Sequence, residues 1–360
     1  MGKPVLHQFV AGASPGDAIT DQALLLRRWI RKDGFRSDIF AESIHPGLAD
    51  EVRSYSCYHA RAKGEIVILH HSIGTDVVDC LLSQDLRIVV VYHNVTPPEF
   101  VQHVDPGLAR QLEKGRQQLE ALKSSTILGL ADSSYNEEEL RSAGYNRTGV
   151  LPIMLDEARY EVPSNPELLR MYRDGSPNLL FVGRLVPNKC QEDLIKLLYH
   201  YRRIEPSARL FLVGSPWLPT YADWLRELAE ELEVSNGVVF AGYVSQKDLV
   251  TYFRLADAYL SMSEHEGFGK PFIESMYHEV PILAYKAAAV PETLGGAGIL
   301  FSDKDYEVLA ELLSLLLQDE HLQGRIRARE RKRMKDFLKS GVREVWNRHM
   351  AAFWHEATTA

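Results

Sequence analysis

A chain of 360 residues, 45% hydrophobic and 25% charged, is long enough to build two globular domains. Its 49 acidic side chains outnumber 41 basic ones, and the net charge of −8 argues against nucleic-acid binding by bulk electrostatics. Three scattered cysteines, Cys57, Cys80 and Cys190, make neither a disulfide frame nor a zinc site, and no apolar run reaches the roughly 18 residues of a membrane span.

The opening MGKPVLHQFV reads as a strand, not as a signal peptide, so a cytoplasmic chain is expected. That strand, Pro4–Val10, is followed by a glycine-bearing turn with Gly12, Ser14, Gly16 and Asp17, then by a helix over Ala18–Lys32. The turn lacks the GxGxxG spacing of dinucleotide binding, and Asp17 in it is a natural helix cap. Further strands read at Ser37–Ala41, Ile66–His71, Leu86–Tyr92, Thr126–Ala131 and Gly149–Ile153, with helices over Gly107–Leu122 and Glu137–Ala143. Three histidines, His70, His71 and His93, stand at strand ends.

Between Asp156 and Asn178, prolines 163, 166 and 177 and Gly175 mark a linker and a candidate hinge. Strands resume at Asn178–Val182, Arg209–Val213, Val238–Ala241, Ala258–Ser261, Pro281–Ala284 and Gly298–Phe301. Helices read at Gln191–Arg203, Tyr221–Leu232, Gln246–Arg254 and Pro271–His278. Such apolar strands alternating with helices predict an α/β protein with two doubly wound parallel sheets facing a cleft. The predicted division is 1–156, a linker over 157–177, a second domain over 178–340, and a last helix over 341–360 that returns to the first domain. That last stretch is amphipathic, with Val342, Val345, Trp346, His349, Met350 and Phe353 on one face.

Chemistry concentrates where strands end, because ligands of doubly wound sheets sit at the carboxyl ends of strands. After Ala258–Ser261 comes Glu266-Gly267-Phe268-Gly269-Lys270, with Glu274 one turn into the next helix. The glycines allow close backbone approach, a helix N-terminus suits a phosphate, and the Glu274 carboxylate can accept from both ribose hydroxyls. After Asn178–Val182, Arg184 and Lys189 stand five apart in a short loop and suit a diphosphate. The run of arginines and lysines from Arg325 to Lys335 is read as a solvated helix face, with anionic lipid headgroups as the sharper alternative.

The pair Glu266 and Glu274, with seven residues between them, resembles the glutamate pair of glycosyltransferase family 4, retaining enzymes of GT-B fold. The resemblance covers most of the second half and, more weakly, the first. It implies that Glu266 lies beside the donor sugar, Glu274 holds the ribose, and Arg184 and Lys189 neutralise the leaving diphosphate. It also implies that Gly16 faces the donor, that Asp17 lies near the acceptor hydroxyl, and that His93 reaches the sugar or the acceptor. Backbone groups of Tyr243 or Val244 would bond the base, and Lys270, where the family carries an aliphatic residue, could touch a phosphate. Lys286 to Val290 departs from the family's glycines before Pro291-Glu292.

The expected reaction is retaining transfer of a hexose from a nucleotide sugar, UDP-glucose first and GDP-mannose second. The expected acceptor is a saccharide or lipid-linked saccharide of envelope or exopolysaccharide synthesis. No Asp-x-Asp motif is present, so no metal cofactor is expected. The rival readings are a nucleotide-sugar epimerase or phosphorylase of the same fold and a non-catalytic sugar or nucleotide binder.

Overall fold

The computed structural model describes residues 4–359, with side chains up to Ala351. The chain divides into two units, one of residues 1–102, 106–154 and 339–360, the other of 103–105 and 155–338.

The first unit holds a seven-stranded sheet: β1 His7–Ala13, β2 Ile39–Ile44, β3 Val52–Ser54, β4 Glu65–His71, β5 Leu86–Tyr92, β6 Thr126–Ala131 and β7 Thr148–Val150. All neighbours are parallel, in the order β3-β2-β1-β4-β5-β6-β7. The central strands carry unbroken apolar runs because both faces are covered; Val67 to Leu69 and Ile88 to Tyr92 are inaccessible to solvent. The helix Ala18–Lys32 starts at Asp17, whose carboxylate accepts from the Thr20 N–H and hydroxyl, both at 3.0 Å. It buries Leu25, Leu26, Trp29 and Ile30 against Ile68, Val89, Val91, Leu128 and Leu130.

The last helix, Lys339–Thr359, belongs to this unit. Val342, Trp346 and Met350 enter the same core, Arg343 pairs with Asp33 and lies over the Trp29 ring, and His349 meets the Val150 carbonyl at 3.0 Å. The side chain of Phe353, predicted on that face, lies outside the described residues.

The second unit holds six parallel strands: β8 Asn178–Val182, β9 Arg209–Val213, β10 Val238–Gly242, β11 Ala258–Ser261, β12 Ile282–Tyr285 and β13 Ile299–Phe301. Their order is β10-β9-β8-β11-β12-β13. The order reverses between β8 and β11, so the loops that leave these two neighbours diverge and open the crevice where such sheets take ligands.

Several segments differ from the sequence expectations, among them the strands Val52–Ser54, which was not expected, and Ile39–Ile44 and Thr148–Val150, expected over 37–41 and 149–153. The first strand is displaced by three residues, because pairing with β2 carries it through Gly12 and Ala13 opposite Ser43 and Ile44. Residues 157–177, predicted to be a linker, form part of the second unit. They contain the helix Pro166–Tyr172, capped by Asn165, which is itself held to Thr251 (2.8 Å) and Asp248 (2.7 Å).

The basic run lies in the helix Glu320–Met334, and part of it is spent internally. Arg327 donates to the Glu279 carbonyl (3.1 Å), Arg331 pairs with the Glu279 carboxylate (2.7 Å), and Arg333 donates to the carbonyls of Thr293 (3.1 Å) and Glu292 (2.7 Å). Among the described residues no helix is long and apolar enough to cross a membrane.

Glu330, on the same helix, is fully buried, and one of its oxygens accepts from the Ile282 N–H at 3.2 Å. Burial pushes its carboxyl up to about 8. Because the folded value exceeds the unfolded one, its contribution is fully present below about pH 4.5 and is lost as pH rises through about 8. Glu330→Gln needs no proton to be neutral. Urea melts should show it unchanged at pH 5 and roughly 2–4 kcal/mol more stable than the parent at pH 9. An equal effect at both pH values would refute the buried, protonated carboxyl.

Candidate active site

The loops after β8 and β11 carry Arg184, Lys189 and Glu266, with Glu274 in the helix that follows the second loop, and the two loops are tied to one another. After β8 the backbone stays pinned to its neighbour: the Gly183 N–H donates to the Val213 carbonyl (2.9 Å) and the Leu185 N–H to the Ser215 carbonyl (3.0 Å). The Arg184 carbonyl accepts from Gln191 (2.9 Å), and its exposed guanidinium lies 4.4 Å over the Trp217 ring. A short helical turn, Pro187–Lys189, then delivers Asn188 and Lys189 to the β11 loop.

There the Lys189 ammonium lies 2.6 Å from Glu266 Oε1 and 3.3 Å from the His265 carbonyl, which also accepts from Asn188 at 3.1 Å. The Glu264 N–H donates back to the Asn188 carbonyl (3.0 Å). Both charged side chains are mostly covered, so their attraction is screened less than that of a surface pair. The neighbouring Cys190 is inert: burial pushes its thiol up to about 12.

The Glu266-to-Gly269 loop is held from the far side as well. The Ala289 N–H donates to the Glu266 carbonyl (3.1 Å), and the Thr293 hydroxyl donates to the Phe268 carbonyl (2.6 Å). The stretch 286–290, where the sequence departs from the family, therefore still braces this loop. Gly269 adopts φ 86°, and a Cβ there would lie 2.4 Å from the Phe272 ring, so only glycine fits. It opens the helix Lys270–Tyr277, whose start has no side-chain cap. The positive end of the peptide dipoles there is available to an anion.

Glu274 is buried on that helix, 4% exposed. Its Oε1 accepts a hydrogen bond from the Tyr160 hydroxyl and lies 3.7 Å from the Lys270 ammonium. Gly267 and Phe268 sit in the loop beside Lys189, and Tyr243 and Val244 follow β10, with the Tyr243 side chain 72% exposed. Arg184, Lys189, Glu266, Lys270, Glu274, Tyr243 and Val244 thus all belong to the second unit.

The remaining candidates lie in the first unit, where they are committed to its own structure. Gly16 takes φ 81° in the turn before Asp17, and Asp17 caps the helix. His93 has its side chain 2% exposed; its Nδ1 lies 2.8 Å from Asp132 and its Nε2 2.9 Å from His70 Nδ1. His70 Nε2 meets Gln8 Oε1 (3.0 Å), and the Gln8 amide donates to the Ala23 carbonyl (3.0 Å).

A carbonyl only accepts, which fixes the direction of this chain: Gln8 accepts from His70 Nε2, and His70 Nδ1 accepts from His93 Nε2. Burial holds His70 well below its usual value, in keeping with a neutral ring, and raises the carboxyl of Asp132. His71, which donates to the Gly115 carbonyl (2.8 Å), falls to about 4 by burial. Both ring nitrogens of His93 thus have partners inside the unit, Asp132 and His70.

Residues 172–333 match the family described as "Glycosyl transferases group 1". That stretch of the chain is similar to the group 1 glycosyl transferases. A glycogen synthase of Mycobacterium tuberculosis is 28% identical over 258 residues, 70% of this chain and 60% of that protein. A GDP-mannose-dependent phosphatidylinositol monomannoside mannosyltransferase of the same organism is 31% identical over 175 residues, 46% of this chain and 44% of that protein. The match spans less than two thirds of either relative.

The structure of Anabaena HepE, solved with UDP and glucose, superposes with a TM-score of 0.78 at 16% identity, covering 97% of this chain and all of that one. That likeness shows the fold: GT-B, with two Rossmann-like units. The matched stretch contains Arg184, Lys189, Glu266 and Glu274. Sequence reasoning missed its supports, Asn188, Thr293, Trp217 and Tyr160. Their side chains are unremarkable in their local sequence and acquire meaning only through partners distant along the chain.

Proposed function

We propose that the chain is a retaining, family 4-type glycosyltransferase that moves a hexose from a nucleoside-diphosphate sugar to a saccharide or lipid-linked saccharide. The observation that carries this reading is the Lys189–Glu266 pair, 2.6 Å apart, at the mouth of an uncapped helix and on the same edge of the sheet as Arg184. In it the diphosphate lies against the first turn of the helix Lys270–Tyr277 and takes the Lys189 ammonium and the Arg184 fork. Glu266 stands beside the donor sugar, and Glu274 accepts from the ribose.

Transfer passes through an oxocarbenium-like centre while negative charge grows on the departing diphosphate. Arg184, Lys189, Lys270 and the helix dipole stabilise that charge without a metal ion. The leaving phosphate takes the acceptor proton on the same face, which gives retention.

UDP-glucose is the first donor proposed, since HepE was solved with UDP and glucose; GDP-mannose is second, named in the mannosyltransferase relative. NMR of products formed from UDP-glucose and GDP-mannose with saccharide acceptors is the test. Retained anomeric configuration is expected. An inverted product, or conversion of the donor with no acceptor present, would refute transfer with retention.

A further inference from the structure

Tyr160 lies in the stretch that the sequence marks as linker, yet its side chain is 2% exposed. The backbone around it is fastened to the second unit. The Tyr160 N–H donates to the Glu157 carbonyl (2.9 Å), and Arg254 donates to the carbonyls of Tyr160 (3.3 Å) and Val162 (2.7 Å) and to the Ser164 hydroxyl (3.0 Å). Its ring packs against Tyr277 and His278, with centroids 5.4 and 5.8 Å apart, at the far end of the helix that bears Glu274. So placed, its hydroxyl donates to Glu274 Oε1, across 114 residues of sequence.

The geometry points to Tyr160 as a positioning residue: its hydroxyl orients the Glu274 carboxylate to receive the ribose hydroxyls of the donor nucleotide. This inference rests on the ribose role of Glu274 proposed above.

Two features carry it. A glutamate side chain has three rotatable bonds, and a carboxylate that is to accept from two adjacent hydroxyls must be held in one plane before they arrive. The Tyr160 hydroxyl and the Lys270 ammonium both fall on Oε1, and Oε2 takes part in neither contact. A carboxylate offers about four acceptor positions, so one tyrosine hydrogen bond leaves room for a ribose. Phenylalanine at 160 would keep the ring packing against Tyr277 and His278 and remove only the donor. The carboxylate could then turn toward the Lys270 ammonium, away from the ribose.

Calorimetry with UDP, GDP and their 2′,3′-dideoxy counterparts, which lack both hydroxyls, tests this on the full chain. The parent should prefer the ribonucleotide, and Glu274→Gln should largely abolish that preference. Tyr160→Phe should cut the preference by about three- to tenfold while leaving affinity for the 2′,3′-dideoxy nucleotide unchanged. A purely structural tyrosine would weaken both nucleotides alike.

If Glu274→Gln keeps the parental preference, or if the parent binds neither diphosphate, the ribose reading itself falls. If Glu274→Gln loses the preference and Tyr160→Phe keeps it, only the role of Tyr160 is overturned. Should Tyr160→Phe fail to fold, a crystal structure of the parent with bound UDP decides. A Tyr160 hydroxyl still bonded to a ribose-bound Glu274 supports the inference, and one turned away from the carboxylate refutes it.

Discussion

Arg184→Ala should lower turnover about a hundred- to a thousandfold, with a much smaller loss of donor affinity and no change in melting temperature. The guanidinium is exposed and stacked on Trp217, outside the core, so its removal leaves no cavity and no unpaired buried group. The loop keeps its shape because the anchors there are backbone groups: the Arg184 carbonyl held by Gln191, and the flanking N–H groups bonded to Val213 and Ser215. In the proposed mechanism, what disappears is a rigid, permanently charged fork for oxygens whose charge increases as the glycosidic bond breaks. Arg184→Lys should recover only part of the rate, since an ammonium keeps the charge but lacks the planar, bidentate fork of the guanidinium. Steady-state kinetics with UDP-glucose or GDP-mannose reads this directly, and full turnover in Arg184→Ala would remove the residue from the mechanism.

Gly214→Ala should give the largest loss of stability of any single methyl addition considered. Gly214 follows β9 with φ 149°, its N–H bonded to the Gly242 carbonyl at 2.9 Å. A Cβ there would lie 1.9 Å from the Gly183 carbonyl oxygen and 2.6 Å from its carbon. The obstacle is backbone, so no rotamer relieves it, and the loop that carries Arg184 must move. About 3 kcal/mol or more is expected, seen as a fall of roughly 5–10 °C in melting temperature, together with weakened nucleotide binding. Gly324→Ala is the control: an exposed helical position where nothing lies within 4 Å, it should gain up to about 1 kcal/mol. Unchanged melting of Gly214→Ala would contradict the close crossing of the two loops.

Legibility followed the range of the forces involved. The strands Leu86–Tyr92, Asn178–Val182 and Arg209–Val213 are read to the residue, because burial on both faces leaves apolar runs with sharp polar ends. The edge strand β3 was missed: it has three residues, and its Arg53 is exposed. The start of β1 was misplaced because its register is set by β2, which local sequence does not reveal.

The same division holds at the site. Arg184, Lys189, Glu266 and Glu274 were readable because each sits at a fixed offset from a strand end, and loops there are short. Tyr160, Asn188, Trp217 and Thr293 were not, since a tyrosine amid prolines or a threonine in a five-residue helix gains its role from a contact far along the chain. The partners of His93 were equally hidden: Asp132 and His70, which stand against its two ring nitrogens, lie 39 and 23 residues away along the chain.

The account stands most directly on where a nucleoside diphosphate binds. A crystal structure of the full chain soaked with UDP or GDP should show the phosphates against the first turn of the helix Lys270–Tyr277, within hydrogen-bond distance of Arg184 and Lys189, and the ribose hydroxyls on Glu274. A diphosphate bound elsewhere, with those three side chains undisturbed, would contradict it.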